Sequence, residues 1–358
     1  MKILFAAGGS GGHITPALAV ADVIQKKSKH TEIVFVSSNA ALDDEIFSAH
    51  SQKYRRHTLS PAKFRRYFSP QNILDIFRAP RVFREAWKIL RKEKPDLVFS
   101  KGGFVGFPIG MVAKILRIPV IIHESDIASG LANRMLRKIS KKILTSFPTG
   151  EGEWVGTPIR EEILNGDAKR GREFLGFPEK EKILLVIGGS QGAEIINQLL
   201  LFSLDELLKK ACVVHISGRG KSARKDTNRY RSFPYLGSEY GDVLAAADLA
   251  ISRAGANSLF EFAAQKKAIL LLPLLSAANN HQKKNAEFFA SRGAAKILYE
   301  DHLSSGEFQK TVSAFLEDET TRKNLEKNIA TLAQNGASQR IAELLILTAK
   351  EVAERISL

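Results

Sequence analysis

The sequence contains little cysteine and has no long hydrophobic run. Among its 358 residues there is one cysteine, Cys212, which lies in an apolar stretch. A single thiol cannot form an intramolecular disulfide or a cysteine-based metal cluster, and this composition fits a reducing compartment. No run of about 18 apolar residues occurs, and the apolar start MKILFAA is too short for the core of a signal peptide. We therefore predict a cytoplasmic protein that does not span the membrane.

Acidic residues are scarce relative to basic ones. The chain has 53 Lys and Arg against 38 Asp and Glu, which gives a formal net charge of +15. Such an excess indicates an anionic partner: nucleic acid, a phosphorylated substrate or an anionic membrane surface. It is concentrated in residues 53–96, where large apolar side chains alternate with the basic ones. Because no recognisable nucleic-acid-binding module is present, we expect no nucleic-acid partner.

Three common motifs for phosphates and metals are missing. Without GxxxxGK[ST], the chain is not a P-loop ATPase. The GxGxxG spacing of dinucleotide-binding proteins does not fit, and the second strand, EIVFVSS, ends without the acidic residue that would bind a ribose. There is also no D-x-D to hold a divalent metal, so we predict no metal site and no cofactor.

Apolar runs alternate with helical patterns in both halves of the chain. The predicted strands are KILFAA, EIVFVSS, DLVFSK, PVIIHE and KKILTSF, then KILLVIGG, CVVHISG, DLAISRA and AILLLP. Strands that alternate with helices predict parallel sheets, and each half begins with an apolar strand, a glycine-rich turn and a helix. We therefore predict an α/β fold of two Rossmann-like domains, 1–160 and 161–337. A final helix over 338–358 fits either domain, and we assign it to the first.

Three glycine-rich loops follow predicted strands, at residues 8–12, 102–106 and 188–192. A strand, a glycine loop and a helix N-terminus form an anion-binding arrangement, because the backbone can approach the ligand and amides point outward. One such loop alone is as well explained by a tight turn. Three at corresponding strand ends favour a ligand cleft. The segment ISRAGANSLFE adds a helix start with Glu261, whose carboxylate suits a ribose diol, although an isolated glutamate is more often an ordinary surface residue.

Taken together, the motifs resemble the MurG family of glycosyltransferases. The resemblance rests on GGSGGHITPALAVA, SKGGFVGFP, IPVIIHESD, VGTPIR, VIGGSQGA, ISRAGANSLFE and HQKKNA, which occur in the family's order over residues 1–290. It implies the GT-B architecture, with two Rossmann-like domains facing a central cleft. The implied reaction is the inverting transfer of GlcNAc from UDP-GlcNAc to the 4-hydroxyl of undecaprenyl-diphospho-MurNAc-pentapeptide. That reaction belongs to the synthesis of cell-wall peptidoglycan, and so to cell shape and division.

The same resemblance implies the site residues, with the acceptor in the N-terminal domain and most of the nucleotide sugar in the C-terminal one. The substrate-binding positions are Ser10, Gly11, Gly12, Asp126, Arg160, Ser190, Gly237, Ala256, Asn257, Ser258, Leu259, Phe260, Glu261 and Gln282. Glu261 falls on the ribose contact and Gln282 on a sugar-hydroxyl contact. Asp126 stands where many family members have an asparagine, which leaves its role open.

Displacement of UDP by a hydroxyl needs a base and a way to stabilise the departing diphosphate. Helix N-termini and Arg160 are the candidates for the leaving group. For the base we choose His13, with Asp126 and His123 as alternatives. A histidine at this position could instead orient the loop, and His123 could be a satisfied buried imidazole.

The basic and apolar stretch predicts attachment to an anionic membrane surface, because a lipid-linked acceptor stays in the bilayer. The predicted patch comprises Phe64, Arg65, Arg66, Tyr67, Phe68, Ile73, Ile76, Phe77 and Phe83. Some of these apolar residues could equally belong to the domain core. We expect a peripheral protein at the cytoplasmic face of the cell membrane, with other cell-wall synthesis proteins as further candidate partners.

Two other enzyme classes share the features above. One is a different lipid-acceptor glycosyltransferase, such as a diacylglycerol type, and the other is a UDP-GlcNAc epimerase of the same fold. The GGSGGH and HESD segments, on the acceptor side, favour the peptidoglycan enzyme. An epimerase would need no lipid-binding patch and would consume the donor without an acceptor.

Overall fold

The computed structural model describes residues 1–48, 53–60, 70–189, 192–221 and 223–357. The chain divides into two units, one formed by residues 1–158 with 336–358 and the other by residues 159–335. Each unit contains one sheet whose paired strands are all parallel.

The first unit has a seven-stranded sheet in the order β3-β2-β1-β4-β5-β6-β7. Its strands are β1 Lys2–Ala6, β2 Glu32–Ser38, β3 Arg55–Leu59, β4 Leu97–Ser100, β5 Val120–Glu124, β6 Lys142–Thr145 and β7 Glu153–Trp154. Its helices are α1 Gly11–Lys27, α2 Ala41–Ser48, α3 Pro70–Glu93, α4 Gly103–Ile115, α5 Leu131–Leu136 and α14 Ala337–Ser357. Side chains are described for all of these residues except 70–79 and 355–357.

Alternation along β1 divides the core of the first unit into two layers. Ile3 and Phe5 pack on one face of the sheet with α1 and α14, while Leu4 and Ala6 pack on the other with α3 and α4. Successive side chains of a strand point to opposite faces, so a strand covered on both sides must be apolar throughout. This explains why KILFA is an unbroken apolar run after its first residue.

The second unit has a six-stranded sheet in the order β10-β9-β8-β11-β12-β13. Its strands are β8 Ile183–Ile187, β9 Cys212–Ile216, β10 Tyr230–Phe233, β11 Leu249–Ser252, β12 Ile269–Leu271 and β13 Lys296–Ile297. Its helices are α6 Glu161–Leu164, α7 Ala168–Leu175, α8 Glu194–Leu207, α9 Tyr240–Ala246, α10 Ala256–Ala264, α11 His281–Ala290, α12 Ser305–Glu317 and α13 Glu319–Ala330, with single 3₁₀ turns at Ala278–Asn280 and Glu300–His302.

All nine strands predicted from the sequence are present, and four further strands are not among the predictions. The four are β3, β7, β10 and β13, which are the edge strands of the two sheets. Each has exposed or half-exposed positions, as in RRHTL of β3, where only the last residue is buried. Edge strands are covered less completely, and so they lack the continuous apolar run that marks a central strand.

The C-terminal helix α14 packs within the first unit. Ile341 and Leu345 are fully buried against the layer that contains Ile3 and Phe5, and the Arg340 guanidinium donates to the Val155 carbonyl (2.7 Å). The chain therefore crosses to the second unit after Pro158 and is back in the first at Gly336. None of the helices in the described ranges combines the length and apolarity needed to cross a membrane.

The packing of α14 predicts a contrast between two leucines two residues apart. Leu345 is fully buried and Leu347 is 63% exposed. Leu345→Ala should lower the free energy of unfolding by about 2–5 kcal/mol, because it leaves a cavity in the core. Leu347→Ala should change it by no more than about 0.5 kcal/mol. Urea denaturation followed by circular dichroism measures both, and equal shifts of the midpoint would contradict the packing.

Candidate functional site

Each sheet has a point at which the strand order reverses direction. In the first unit it lies between β1 and β4, and in the second between β8 and β11. Ligands of doubly wound sheets bind beyond the carboxyl ends of the strands at such a point, where neighbouring loops diverge. The predicted glycine loops follow β1, β4 and β8, and the AGANS turn follows β11. All four loops therefore lie at a switch point of their own sheet.

The four helices that begin at the switch points have no side-chain cap. Their N-cap residues are Ser10 for α1, Gly102 for α4, Ala193 for α8 and Gly255 for α10. Three other helices are capped by the side chains of Asp167, Ser304 and Asp318. Because the first amides of a helix have no partner within the helix, an end without a cap can receive an anionic ligand. The first turns of α1, α4 and α10 also contain no acidic residue that would repel one.

The first glycine loop is held by a buried carboxylate. Asp43 is fully buried and accepts hydrogen bonds from the backbone N–H of Gly9 (2.9 Å) and from the N–H and hydroxyl of Ser38 (2.9 and 2.7 Å). A Cβ on Gly8 would lie 2.6 Å from the Ser38 nitrogen, and Gly9 has a φ of +82°. Both positions therefore require glycine, and the loop is rigidly placed.

The same loop leads into α1, which begins at Gly11. Ser10 and Gly12 are partly exposed and Gly11 is buried, so Ser10 and Gly12 are the more accessible of the three predicted binding positions. Because the helix begins this early, Pro16 lies in its second turn and not in the first, where proline is most common.

His13 lies in the first turn of α1 with its imidazole tautomer fixed. Nδ1 is 3.2 Å from the Gly8 carbonyl, which can only accept, so Nδ1 carries the hydrogen and Nε2 has the lone pair. Burial lowers the pKa of His13, and the positive charge of Lys101 lowers it further. The Gly8 carbonyl and the carboxylates of Asp126 and Glu124 raise it, but not enough to offset the lowering. His13 is thus a neutral imidazole whose Nε2 has no hydrogen-bond partner among the described residues.

The HESD segment after β5 is organised around Glu124. Its carboxylate accepts hydrogen bonds from the backbone of Asp126 (3.2 Å) and Gly130 (3.0 Å) and from the Asn133 amide (2.9 Å). Asp126 is partly exposed at this turn. The turn therefore presents Asp126 beside the end of β5, while Glu124 serves the local structure.

Both ring nitrogens of His123 are occupied. Nε2 donates to the Gly156 carbonyl (2.9 Å), and Nδ1 accepts from the Lys101 ammonium. Burial lowers the pKa of His123 well below its usual value, and the neighbouring Lys101 charge adds to this. This arrangement favours the satisfied buried imidazole over the catalytic alternative for His123.

One predicted position of the second unit, Ser190, follows β8 in the sequence and lies outside the described residues. On either side of it, Gly189 and Gly192 have φ values of +85° and +70°. A Cβ on Gly192 would lie 2.5 Å from the Ser217 carbonyl oxygen. Gly192 therefore lies against the end of β9 just before α8 begins.

The predicted stretch Ala256–Glu261 forms the first two turns of α10, and its residues face two ways. Leu259 and Phe260 are buried, and the Phe260 ring packs edge-on against Phe289 with centroids 5.6 Å apart. Ala256 is also buried, whereas Asn257, Ser258 and Glu261 are partly exposed. The buried residues can reach a ligand only through their backbone, and the exposed three can also use their side chains.

Glu261 lies near two polar groups of its own unit. Burial raises the pKa of Glu261, whereas the Arg160 charge and the Tyr240 hydroxyl lower it. Arg160 also donates to Glu162 through Nη1 (2.9 Å), and its buried Nε has no partner in the described structure. Burial is the largest of these effects, and the pKa of Glu261 is raised above its usual value, so the Arg160 charge and the Tyr240 hydroxyl offset it only in part.

Gln282 and Gly237 occupy two further turns of the second unit. The Gln282 Oε1 accepts a hydrogen bond from the backbone N–H of Leu274 (3.0 Å), which leaves the amide hydrogens as donors. Gly237 lies between β10 and α9, partly exposed, and its carbonyl accepts from the Tyr240 N–H (3.3 Å). Among the described residues, no cluster of three or more His, Cys, Asp or Glu side chains could hold a metal ion.

Most of the predicted membrane patch cannot be located. Phe64, Arg65, Arg66, Tyr67 and Phe68 lie outside the described residues, and Ile73, Ile76 and Phe77 belong to α3 without described side chains. Phe83 is partly buried and packs edge-on against Phe107, with ring centroids 6.1 Å apart. Phe83 therefore contributes at least in part to the core beside α4.

Comparison with known proteins decides the family. The glycosyltransferase family 28 N-terminal domain matches residues 3–145, and the C-terminal domain of that family matches residues 183–344. A relative from Clostridium perfringens is 39% identical over 337 residues, covering 91% of this chain and 90% of its own. One from Staphylococcus aureus is 35% identical over 354 residues, covering 96% and 98%. Both are named UDP-N-acetylglucosamine--N-acetylmuramyl-(pentapeptide) pyrophosphoryl-undecaprenol N-acetylglucosamine transferase. The chain belongs to the MurG family.

The crystal structure of Acinetobacter baumannii MurG has the same fold. It is 24% identical, superimposes with a TM-score of 0.74, and the match covers 96% of this chain and 98% of that one. The prediction of two Rossmann-like domains of GT-B type is thereby confirmed, as is the motif resemblance to the MurG family. This chain is a glycosyltransferase of the N-acetylglucosaminyltransferase class.

The sequence of this MurG-family chain did not point to three residues that the structure makes relevant. They lie at the switch points or contact the predicted residues. They are Asp43 beneath the first glycine loop, Lys101 at the end of β4 and Tyr240 beside Glu261. The only sequence signal for Lys101 is its position directly before two glycines in SKGGFVGFP. Asp43 and Tyr240 have no such signal, because their neighbours come from other parts of the chain.

Proposed function

We propose that this MurG-family enzyme transfers N-acetylglucosamine from UDP-GlcNAc to the 4-hydroxyl of undecaprenyl-diphospho-MurNAc-pentapeptide. The curated relatives carry names that state this donor and this acceptor. The observation that carries the proposal is the neutral His13 imidazole, whose free Nε2 lies at the uncapped start of α1 in the first unit. A base and an anion-binding helix end are what the acceptor side of this reaction requires.

The donor is assigned to the switch point of the second unit. The Glu261 carboxylate accepts hydrogen bonds from the two ribose hydroxyls, and the first-turn amides of α8 and α10 face the diphosphate. Ser190 belongs to the α8 loop, and Asn257 and Ser258 to the first turn of α10. Gln282 offers its amide hydrogens to a hydroxyl of the sugar, and the backbone at Gly237 faces the uracil.

The acceptor is assigned to the switch point of the first unit. Its two glycine loops lead into α1 and α4, whose uncapped ends suit the lipid-linked diphosphate. Ser10 and Gly12 are the partly exposed contacts on the first loop, and Asp126 contributes from the turn after β5. A carboxylate at Asp126 accepts hydrogen bonds from the acceptor but, unlike an asparagine, donates none.

The chemical step is a single displacement with inversion. The acceptor 4-oxygen forms a bond to the anomeric carbon as the bond from that carbon to the phosphate oxygen breaks. The proton of the 4-hydroxyl passes to the His13 Nε2, and the electron pair of the broken bond leaves on UDP. Amides of the helix ends and the Arg160 guanidinium stabilise the developing charge on the diphosphate.

The substrate assignment predicts the outcome of a three-arm assay with radiolabelled UDP-GlcNAc. Label should move to a polyprenyl-diphospho-MurNAc-pentapeptide acceptor and remain on the donor when diacylglycerol is offered instead. A third arm without any acceptor should show neither epimerised nor hydrolysed donor. Transfer to diacylglycerol would favour the other lipid glycosyltransferase, and acceptor-free consumption would favour the epimerase.

The role of His13 predicts a separation of turnover from donor affinity. His13→Ala should lower kcat by on the order of 10²- to 10⁴-fold, the usual contribution of a general base. The KM for UDP-GlcNAc should change little, because the donor is assigned to the other unit. The matched control is His30→Ala, which removes an exposed histidine after α1 and should leave both constants unaltered. Near-normal turnover of His13→Ala would remove His13 as the base.

We also propose that the basic and apolar segment around α3 attaches the enzyme to an anionic membrane surface. Replacing Phe64, Phe68 and Phe77 together with serine should abolish most co-sedimentation with vesicles containing anionic lipid, since the inserted rings are lost. The control is Phe202→Ser, which changes a phenylalanine of α8 that is 82% exposed in the second unit. Equal sedimentation of the triple variant and the wild type would show that the segment is not the anchor.

A further inference from the structure

A buried lysine lies next to His13, and the mechanism above does not use it. Lys101 is 2% exposed and directly follows β4, where its backbone N–H donates to the Ala6 carbonyl of β1 (3.1 Å). Its side chain reaches the end of β5 and hydrogen-bonds His123 Nδ1 and the Ser125 hydroxyl (2.8 Å). Lysine is seldom fully buried, because removing an ammonium from water is costly unless it is paired.

The hydrogen bonds of Lys101 have a fixed direction. His123 donates from Nε2 to the Gly156 carbonyl, so its Nδ1 must accept from the lysine. The Ser125 oxygen accepts a second hydrogen of the ammonium. The third ammonium hydrogen has no partner within the described part of the chain. Lys101 thus joins the ends of β4 and β5, and one of its donors is not committed.

The two residues after Lys101 touch the other parts of the acceptor-side site. The His13 ring lies against Gly103, where an added Cβ would be 3.0 Å from its Cε1. A Cβ added to Gly102 would lie 2.5 Å from the Asn133 Oδ1, and the Asn133 amide donates to the Glu124 carboxylate. A substitution at position 101 can therefore affect His13 through Gly103, and the turn after β5 through Gly102 and Asn133.

The charges around this lysine are few. Two carboxylates act on it, Glu124 at the end of β5 and Asp126 in the turn that follows, and both favour the ammonium. Burial outweighs them and lowers the pKa of Lys101 to about 7. The same two carboxylates raise the pKa of His13 while Lys101 lowers it. The charged groups that act on His13 are therefore the carboxylates of Glu124 and Asp126 and the ammonium of Lys101, which is charged below neutral pH.

We propose that Lys101 is a positioning residue for His13: it fixes the turn after β5 against β4, and its ammonium adds to burial in disfavouring protonation of the imidazole. This inference rests on the proposed role of His13 as proton acceptor. Without the ammonium, burial alone would oppose the Gly8 carbonyl and the two carboxylates, so a larger share of His13 would be protonated at acidic pH, and a protonated imidazole cannot accept a proton from the acceptor hydroxyl. Lys101 itself contacts neither substrate nor the reacting atoms in this account.

The test variant removes the positive charge of Lys101 and keeps an unbranched side chain in its place. In Lys101→Met, the acidic limb of the kcat/KM pH profile should move upward by about one unit, because a nearby positive charge no longer disfavours protonation of His13. Activity at acidic pH should fall while activity at alkaline pH approaches that of the wild type. Lys101→Arg keeps the charge at every pH and should leave the limb in place. Lys142→Met, which removes an exposed lysine of β6 paired with Glu153, is the matched control.

A direct titration separates the two hypotheses. The His13 pKa, followed by NMR of the imidazole nitrogens and assigned with His13→Ala, should rise in Lys101→Met. If the His13 pKa rises but the pH profile does not move, His13 is not the base, while the link between Lys101 and His13 holds. An unchanged His13 pKa, or a loss of activity by one constant factor at all pH values, would overturn the positioning role.

A second variant guards against loss of folding. Lys101→Gln keeps a hydrogen-bond donor for Ser125 and removes the charge, so it should reproduce the rise in the His13 pKa if the methionine variant does not fold. Wild-type titration behaviour in a folded Lys101→Gln would count against the proposal as strongly as in Lys101→Met.

Discussion

Close packing of glycines at the carboxyl ends of β1 and β4 is the constraint on which the proposed acceptor-side site depends. Gly8 lies against the Ser38 backbone, and a Cβ on Gly106 would collide with the Ser100 hydroxyl. Only because these residues lack side chains can α1 and α4 begin directly at the strand ends with uncapped amides. Asp43 then holds the first loop by accepting three hydrogen bonds from Gly9 and Ser38. The geometry of the anion site is thus set before any ligand binds.

Electrostatics around the first switch point depend on that geometry. With no titratable side chain in the glycine loops, the titratable groups come from the residues immediately beside them: His13 after the first loop, Lys101 before the second, and the HESD segment. Burial favours the neutral form of His13 and of Lys101, while the carboxylates Glu124 and Asp126 favour the charged form. The charge of Lys101 is one of the effects that lower the pKa of His13. This coupling makes Lys101 relevant to a reaction that it does not touch.

The central strands could be predicted from the sequence and the edge strands could not. The interior strands, such as ILLVI of β8, are buried on both faces and therefore form apolar runs, while RRHTL of β3 and YRSF of β10 are only partly covered. The division of the chain was predicted at residue 160, and the two units divide after Pro158. Alternation of strands and helices was enough for the fold because parallel sheets leave few other arrangements.

The site was predictable only where a motif carries it. His13 and Glu261 stand in recognisable segments, whereas Asp43 differs from its neighbour Asp44 in nothing that the sequence shows. In the structure the Asp43 side chain is fully buried, and that of Asp44 is 58% exposed. Lys101 resembles any surface lysine until the parallel pairing of β4 with β5 places it against His123 and Ser125. Such residues act through contacts between distant segments, and those contacts exist only after the sheet has formed.

The two units share one architectural plan, and we propose that it serves two different ligands. Both place uncapped helix ends at the switch point, which suits a diphosphate in either case. The difference lies in the side chains that surround those ends. In the first unit a neutral imidazole and a buried lysine favour removal of a proton, whereas in the second the Glu261 carboxylate and the Gln282 amide favour the binding of hydroxyl groups. Recognition of phosphate therefore comes from the fold, and the assignment of donor and acceptor comes from a few residues beside it.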